Sequence, residues 1–484
     1  MTLSDGDPGV ARAAQSALPV ARVDAQGQRH IDVPALLRLA APLMVTNSIQ
    51  AALNLTDTWF IGRLSTEAVA AIGAIYWLMS AVIFALGGVG LIVQTFVSQA
   101  DGGGRRVRAA QSAWGGVWAA LVSLPLYVAA SFLGAPLLGL FDLPAGVEAL
   151  AIEYWEPRMQ GAVLGTITWA FLSFFNGIGA TRLTLLVASV TLIANVPANH
   201  YFMFEVGLGM AGAAWGTNLA QACGVLVAMV AFLVGPVARR YRTRAAWRPR
   251  PRLMARQLRM GFPIGVMYGA DVLGVSLMQL MVTQVGNAGA AATQIVMMLT
   301  SLAYMPTLGL ASAGTTVVGQ AIGAGDREWA GRLGDFVIRC CAGLMLGVAL
   351  LLLLFGPWLL PVFFGSGDAE STEAIRLALL FLWPAAAYQF FDGLYFGSSF
   401  SLRAAGDTSV PASVALGLSW LVFVPLAHTL VFDADSAWVS GLPQAGLGAL
   451  GGWLALMSYA MVLGGVMYWR WRSGQWRKID LWRR

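Results

Sequence analysis

The sequence predicts an all-α integral membrane fold: about twelve transmembrane helices in two six-helix lobes related by a pseudo-two-fold axis along the membrane normal. Three observations lead there: an apolar composition, charge confined to alternate loops, and an internal repeat.

Composition comes first. The 484 residues are 58% hydrophobic and only 11% charged. A water-facing surface needs roughly a quarter charged residues, so most of this surface faces something else. Runs such as Gly343–Phe364 are long enough to cross a bilayer as helices. The ten-residue alternation of an outer-membrane barrel is absent. No cleavable signal is visible, and residues 1–33 read as a solvated cytoplasmic tail. Cys223, Cys340 and Cys341 sit in apolar segments without metal-ligand spacing and read as packing residues.

Hydropathy places helices near 34–62, 68–99, 108–138, 147–177, 183–206, 209–235, 255–284, 288–321, 332–364, 373–402, 410–432 and 444–470. Nearly all of the 30 Lys and Arg then fall in the tails and in or beside every second loop, notably Arg105–Arg108, Arg239–Arg259 and Arg470–Arg484. The opposite loops carry Asp142, Glu148, Glu153, Asp368, Glu370, Glu373, Asp433 and Asp435. By the positive-inside rule both termini are cytoplasmic, which requires an even number of spans, and a cell inner (cytoplasmic) membrane location follows. The net charge of +6 is therefore a topology signal rather than a nucleic-acid footprint.

The repeat divides the chain. Ala70-Ala71, Leu78, Ser80, Gly88, Val97, Gln99-Ala100, Gly102 and Gly104 align without gaps on Ala291-Ala292, Leu299, Ser301, Gly309, Val318, Gln320-Ala321, Gly323 and Gly325. Pro42 pairs with Pro263 at the same offset, and Gly179-Ala180-Thr181 later answers Gly406-Asp407-Thr408. The expected organisation is a first lobe over 34–235, a basic cytoplasmic linker over 236–254, a second lobe over 255–470 and a basic cytoplasmic tail over 471–484. Pro42, Pro263, Pro306 and Pro384, with Gly87-Gly88 and Gly90, are expected to soften helices, either for motion or as static kinks.

Three of the 24 acidic residues fall well inside spans: Asp57, Asp271 and Asp392. A central carboxylate costs roughly 2.5–3.5 kcal/mol on insertion scales, and no Lys or Arg is expected at comparable depth. Such a group takes up a proton, a metal cation or a cationic ligand. Asn47, Gln50, Asn54 and Asp57 form one polar stripe on the first helix, and Asn195 and Asn199 share a face of the fifth. Asp57 with the two amides is a candidate sodium site, interhelical hydrogen bonding being the alternative role for the asparagines. In the second half, Tyr268, Asp271, Tyr388, Asp392 and Tyr395 combine carboxylates with aromatic faces and suit an organic cation or a proton. There is no P-loop and no enzyme constellation, and no cofactor beyond a coupling ion is expected.

These residues resemble the multidrug and toxic compound extrusion (MATE) family. The first-helix stretch Ala41-Pro42-Leu43, Asn54-Leu55-Thr56-Asp57-Thr58 and Ile61-Gly62-Arg63-Leu64-Ser65 is similar to the family's, as are Val97-Ser98-Gln99-Ala100, Val318-Gly319-Gln320-Ala321 and Asn195-Val196-Pro197-Ala198-Asn199. The pattern is nearest the NorM-like branch, whose acids on helices 1, 7 and 10 fall on Asp57, Asp271 and Asp392. Helix 7 usually carries Glu there, and the shorter Asp271 is a departure. The resemblance implies sodium- or proton-coupled antiport of cationic amphipathic compounds by a V-shaped, two-lobe monomer set in membrane lipid. The alternatives are a lipid-linked-precursor flippase of a related two-lobe class, which would want a basic central cavity, and an uncoupled membrane channel or scaffold.

Overall fold

A computed structural model describes residues 20–26, 28–139, 144–363, 369–434, 437–439 and 441–482. Asp142, Asp368 and Asp435, assigned above to the acidic loops, lie outside the described residues.

Among the described residues, twelve long helices carry the fold: α1 Val33–Gly62, α2 Thr66–Gly102, α3 Arg106–Ser131, α4 Ala145–Gly177, α5 Thr181–Glu205, α6 Gly209–Leu233, α7 Pro251–Val285, α8 Asn287–Gly323, α9 Arg327–Phe363, α10 Ala369–Ala405, α11 Ser409–Val431 and α12 Gly448–Arg472. Eleven are long and apolar enough to cross a membrane. The remaining one, α4, has 33 residues but is loaded with Glu148, Glu153, Glu156 and Arg158.

Local chemistry sets the boundaries. Asp32 caps α1 by accepting from the Ala35 N–H at 3.0 Å, and Ser65 caps α2 through the Ala68 N–H at 3.0 Å. The turns after α2 and α8 reverse through Gly104 and Gly325, at φ +68° and +87°, a conformation that a side chain would strain. These two glycines are the repeat partners read from the sequence.

Each half builds its own core. Phe171, Phe174, Phe232, Trp155 and Met210 fill the first half, while Phe381, Phe396, Trp453 and Met345 fill the second. The halves also exchange contacts. The start of α1, through Leu36, Ala40 and Leu43, is built into the second-half core. Helix α7 reciprocates by crossing α2, and a Cβ on Gly265 would lie 2.1 Å from the Phe84 carbonyl oxygen. Leu55, Ile193, Trp383 and Leu421 remain largely exposed, an apolar surface suited to lipid.

Two expectations change. The stretch read as a solvated tail is folded from Val20 onward. Ala21–Val23 pairs antiparallel with Arg29–Ile31, Val20 is buried in the second-half core, and Arg29 bonds Asp326 at 2.5 Å. A three-residue strand is too short to register in composition. The third span, expected to reach 138, ends at Ser131 and is followed by a separate short helix, Gly134–Leu138. As expected from the sequence, Pro42, Pro263, Pro306 and Pro384 sit inside helices, and those helices are continuous through them. The helical pattern changes instead at two π turns, Tyr201–Glu205 in α5 and Ser419–Phe423 in α11. They occupy the fifth helix of each half, each beside a proline, Pro197 and Pro425.

Candidate functional site

Helices α1, α5 and α6 converge on Asp57. Its Oδ1 accepts from Asn195 Nδ2 at 2.9 Å and Asn199 Nδ2 at 2.7 Å, and its Oδ2 accepts from Thr217 Oγ1 at 3.1 Å. Asn195 and Asn199 are fully buried. Their i, i+4 spacing brings both amides to one carboxylate oxygen. The amides present nitrogen, not oxygen, to Asp57: Asn195 Oδ1 accepts from Asn199 at 3.2 Å, and Asn199 Oδ1 is buried without a partner. That orphan oxygen abuts Gly216, where a Cβ would approach it to 2.1 Å. For the amides to ligate a cation, both would have to turn. Thr217 was not singled out in the sequence, because nothing local ties a threonine on α6 to α1.

The expectation that no basic side chain reaches this depth is overturned. Arg158, from the charged helix α4, lines the same cavity as Asp57, acts on its charge, and donates to Asn218 Oδ1 at 3.3 Å. Arg403 lines that cavity too and is 7% exposed. The first was masked by the acids around it on α4. The second was counted with a loop, because α10 runs on to Ala405.

In the second half, Asp271 accepts from Tyr459 Oη at 2.6 Å. Tyr395 acts on Asp271 and Tyr388 on Asp392 as electrostatic neighbours, while the Tyr395 hydroxyl contacts Met267 Sδ at 3.8 Å. The two carboxylates feel one another's charge. This is a tyrosine-enclosed acid pair, and Tyr459 of α12 was invisible in the sequence for the same reason as Thr217.

A cavity of about 480 Å³ lies where the halves meet. Asp57, Tyr76, Arg158 and Thr217 line it from the first half, and Tyr268, Tyr304 and Arg403 from the second. Of the five second-half residues grouped above, Tyr268 faces this cavity, while Asp271, Tyr388, Asp392 and Tyr395 are not among its lining residues. Both sets of acids therefore exist as clusters, but they do not share one chamber here.

One end of the cavity is closed. Gln94 Nε2 donates to the Ser312 carbonyl at 2.8 Å, Thr95 Oγ1 to the Arg403 carbonyl at 3.0 Å, and Gln99 Nε2 to the Ala404 carbonyl at 2.7 Å. All three cross between halves. Gln320 Nε2 meets Asp101 at 3.1 Å, and Tyr241 Oη donates to the other oxygen of Asp101 at 2.6 Å. Burial pushes the Tyr241 hydroxyl pKa upward, keeping it a donor. Tyr241 belongs to the Arg-rich connection, so the closed end is the basic end.

Membrane-length helices in two groups, around a largely apolar cavity that is lined by both, carries Asp57, Arg158 and Arg403, and is sealed at one end, define a membrane transporter. Known proteins agree. The MatE family profile matches residues 42–201 and 263–429. The multidrug resistance protein NorM of Burkholderia vietnamiensis is 29% identical, covering 90% of this chain and 92% of its own. A probable NorM of Deinococcus radiodurans is 31% identical, covering 92% and 97%. Among solved structures, an outward-facing multidrug resistance MATE family transporter superposes with a TM-score of 0.76 at 20% identity, over 92% of this chain and 96% of that one. The chain belongs to the MatE family and has its two-lobe fold.

Proposed function

We propose that the protein is a secondary antiporter that exports cationic or amphipathic drug-like molecules from the cytoplasm by alternating access, in exchange for protons or sodium ions. The observation that carries this reading is a carboxylate, Asp57, held by three donors from other helices at the wall of a cavity both halves line. The relatives named for multidrug resistance support the substrate class. The positive-inside rule makes the basic, closed end cytoplasmic, with both termini on that side of the inner membrane. Access to the cavity is then from the outside.

The Asp57 geometry favours a proton. Thr217 Oγ1 has a second acceptor, the Ala213 carbonyl at 3.0 Å. A proton on Asp57 Oδ2 can be donated to Thr217 Oγ1 while the threonine hydrogen turns to Ala213, leaving both asparagine bonds to Oδ1 in place. A sodium ion held by the amide oxygens would instead require the two buried amides to turn. An inward cation gains about 2.3 kcal/mol per 100 mV before any concentration term. Asp271 and Asp392 are the second-half acids for substrate or ion, reached past Tyr268 and Tyr304.

Proteoliposomes with pH and sodium gradients imposed separately test this. A pH gradient alone should drive ethidium movement, and Asp57→Asn should abolish it. Ethidium movement that ignores both gradients, or that survives with Asp57, Asp271 and Asp392 all changed to Asn, would sink the antiport reading.

A further inference from the structure

The protein's partly buried guanidinium groups have partners, with one exception. Arg470 bonds Asp407 at 2.9 Å, Arg29 bonds Asp326 at 2.5 Å, and Arg158 reaches Asn218 and the field of Asp57. Arg403 is more buried than any of these, yet among the described residues its guanidinium has no hydrogen bond and no carboxylate, and its Nε is buried without an acceptor. Its planar group lies over the Phe400 ring, 4.1 Å from the centroid, and Tyr268 lines the same cavity. Its own carbonyl is tied across the lobe boundary to Thr95. The backbone at this point is therefore held while the guanidinium lines the cavity.

A desolvated cation without a counter-charge is costly unless something in its cavity completes it. A guanidinium presents a flat fork of donors that matches a carboxylate's two oxygens. Phe400 beneath it and Tyr268 on the wall of the same cavity offer aromatic surface that would carry the apolar body joined to that carboxylate. At another point of the same wall stands Asp57.

We propose that Arg403 is the core of an anion subsite in the cavity, which takes the carboxylate of an amphipathic ligand onto its guanidinium. The cavity is thereby bipolar: a ligand's cationic group goes to an acid, and its carboxylate goes to Arg403. This rests on the transport reading only for its consequence, since binding at the subsite can be measured without transport.

The test is binding of a matched pair of probes to the purified full-length protein: a zwitterionic fluoroquinolone acid and its methyl ester, which keeps the amine and loses the carboxylate charge. Wild type should bind the acid more tightly than the ester, and Arg403→Gln should lower the acid-to-ester affinity ratio roughly 10–100-fold, the range of a charge-assisted contact. Arg403→Lys keeps the charge and loses the fork, so its ratio should fall between the two. If Arg403→Gln does not fold, wild type and Arg403→Lys still decide the question. Equal affinity of wild type for acid and ester, or a ratio unchanged in either variant, overturns the subsite. Ethidium transport by wild type in the same preparation separates the two ideas. An Arg403-dependent ratio without gradient-driven ethidium movement leaves the subsite standing and removes the antiporter, and the reverse result removes the subsite alone.

Discussion

Gly102 lies backbone to backbone against Gln320, so close that a Cβ at 102 would stand 2.0 Å from the Gln320 carbonyl oxygen. The repeat-equivalent pair does the same: a Cβ on Gly323 would stand 2.0 Å from the carbonyl oxygen of Gln99. The motif Gln-Ala-x-Gly at the end of α2 and of α8 thus meets its own copy, each glycine admitting the other half's glutamine.

A side chain at either glycine cannot be accommodated by a rotamer change, because the obstacle is main chain. Gly102→Leu or Gly323→Leu should therefore hold the basic ends of α2 and α8 apart. Overpacking of this kind costs about 1–3 kcal/mol, enough to shift a closed state by roughly tenfold or more. Gradient-driven ethidium movement should fall by a comparable factor while the protein remains monodisperse in detergent. Full transport by Gly102→Leu would show that this contact does not form during the cycle.

Thr217 separates proton from sodium coupling. Thr217→Val keeps the shape of the side chain but removes the hydroxyl that bonds Asp57 and can turn to Ala213. Losing a hydrogen bond to a charged partner costs about 1.5–3 kcal/mol, so proton-driven ethidium movement should drop roughly 10–100-fold at fixed pH gradient. Thr217→Ser should restore most of it. An unaffected Thr217→Val variant would remove Thr217 from the coupling path.

Much of this was legible in the sequence, and the remainder was hidden for identifiable reasons. Helix positions follow hydropathy, so α1, α2 and α6 fell within a few residues of expectation. The clustering of Asp57 with Asn195 and Asn199 could be read because each residue sits on a short-period polar stripe. Thr217 and Tyr459 could not, since each reaches its carboxylate from a helix distant in sequence and carries no local mark. Arg158 and Arg403 were missed for other reasons: Arg158 was masked by the acids around it on α4, and Arg403 was counted with the loop after a helix expected to end at 402, whereas α10 runs on to Ala405. The close approach of Asn199 to Gly216 had no sequence signal either.

Tyr459 and Asp271 should behave as one unit. The bond at 2.6 Å is the tyrosine's contribution to the second-half acid pair. Tyr459→Phe should reduce ethidium movement, and adding it to Asp271→Asn should produce little further loss, because the partner is already gone. A double-mutant cycle on transport rate reads the coupling, expected at about 0.5–3 kcal/mol for residues in contact. Strictly additive losses would mean the hydrogen bond contributes nothing to the transport step.

The described end of the chain lies across the lobe boundary at the basic end. Leu481 is 4% exposed and packs with Ile92 and Phe96 of α2 and Ile264 of α7. Trp482 stands edge-on to Phe96 with centroids 5.8 Å apart, and Arg256 donates to the Leu481 carbonyl at 2.5 Å. On the other flank Leu481 lies against Gly406, and Arg327 donates to the Arg477 carbonyl. The segment therefore touches helices of both halves where Gln99 meets Ala404. Burying one leucine contributes about 1.5–3 kcal/mol, and an aromatic pair about 0.5–1.5 kcal/mol beyond its area. Losing both should open the basic end more often. Truncation after Gly474 should raise labelling of an Ala404→Cys probe by a membrane-impermeant thiol reagent several-fold, in a background lacking Cys223, Cys340 and Cys341, with the reagent applied from the cytoplasmic side. Leu481→Ala alone should give a smaller rise in the same direction. Labelling that stays at the wild-type rate in the truncated protein would show that the segment covers the closure without holding it shut.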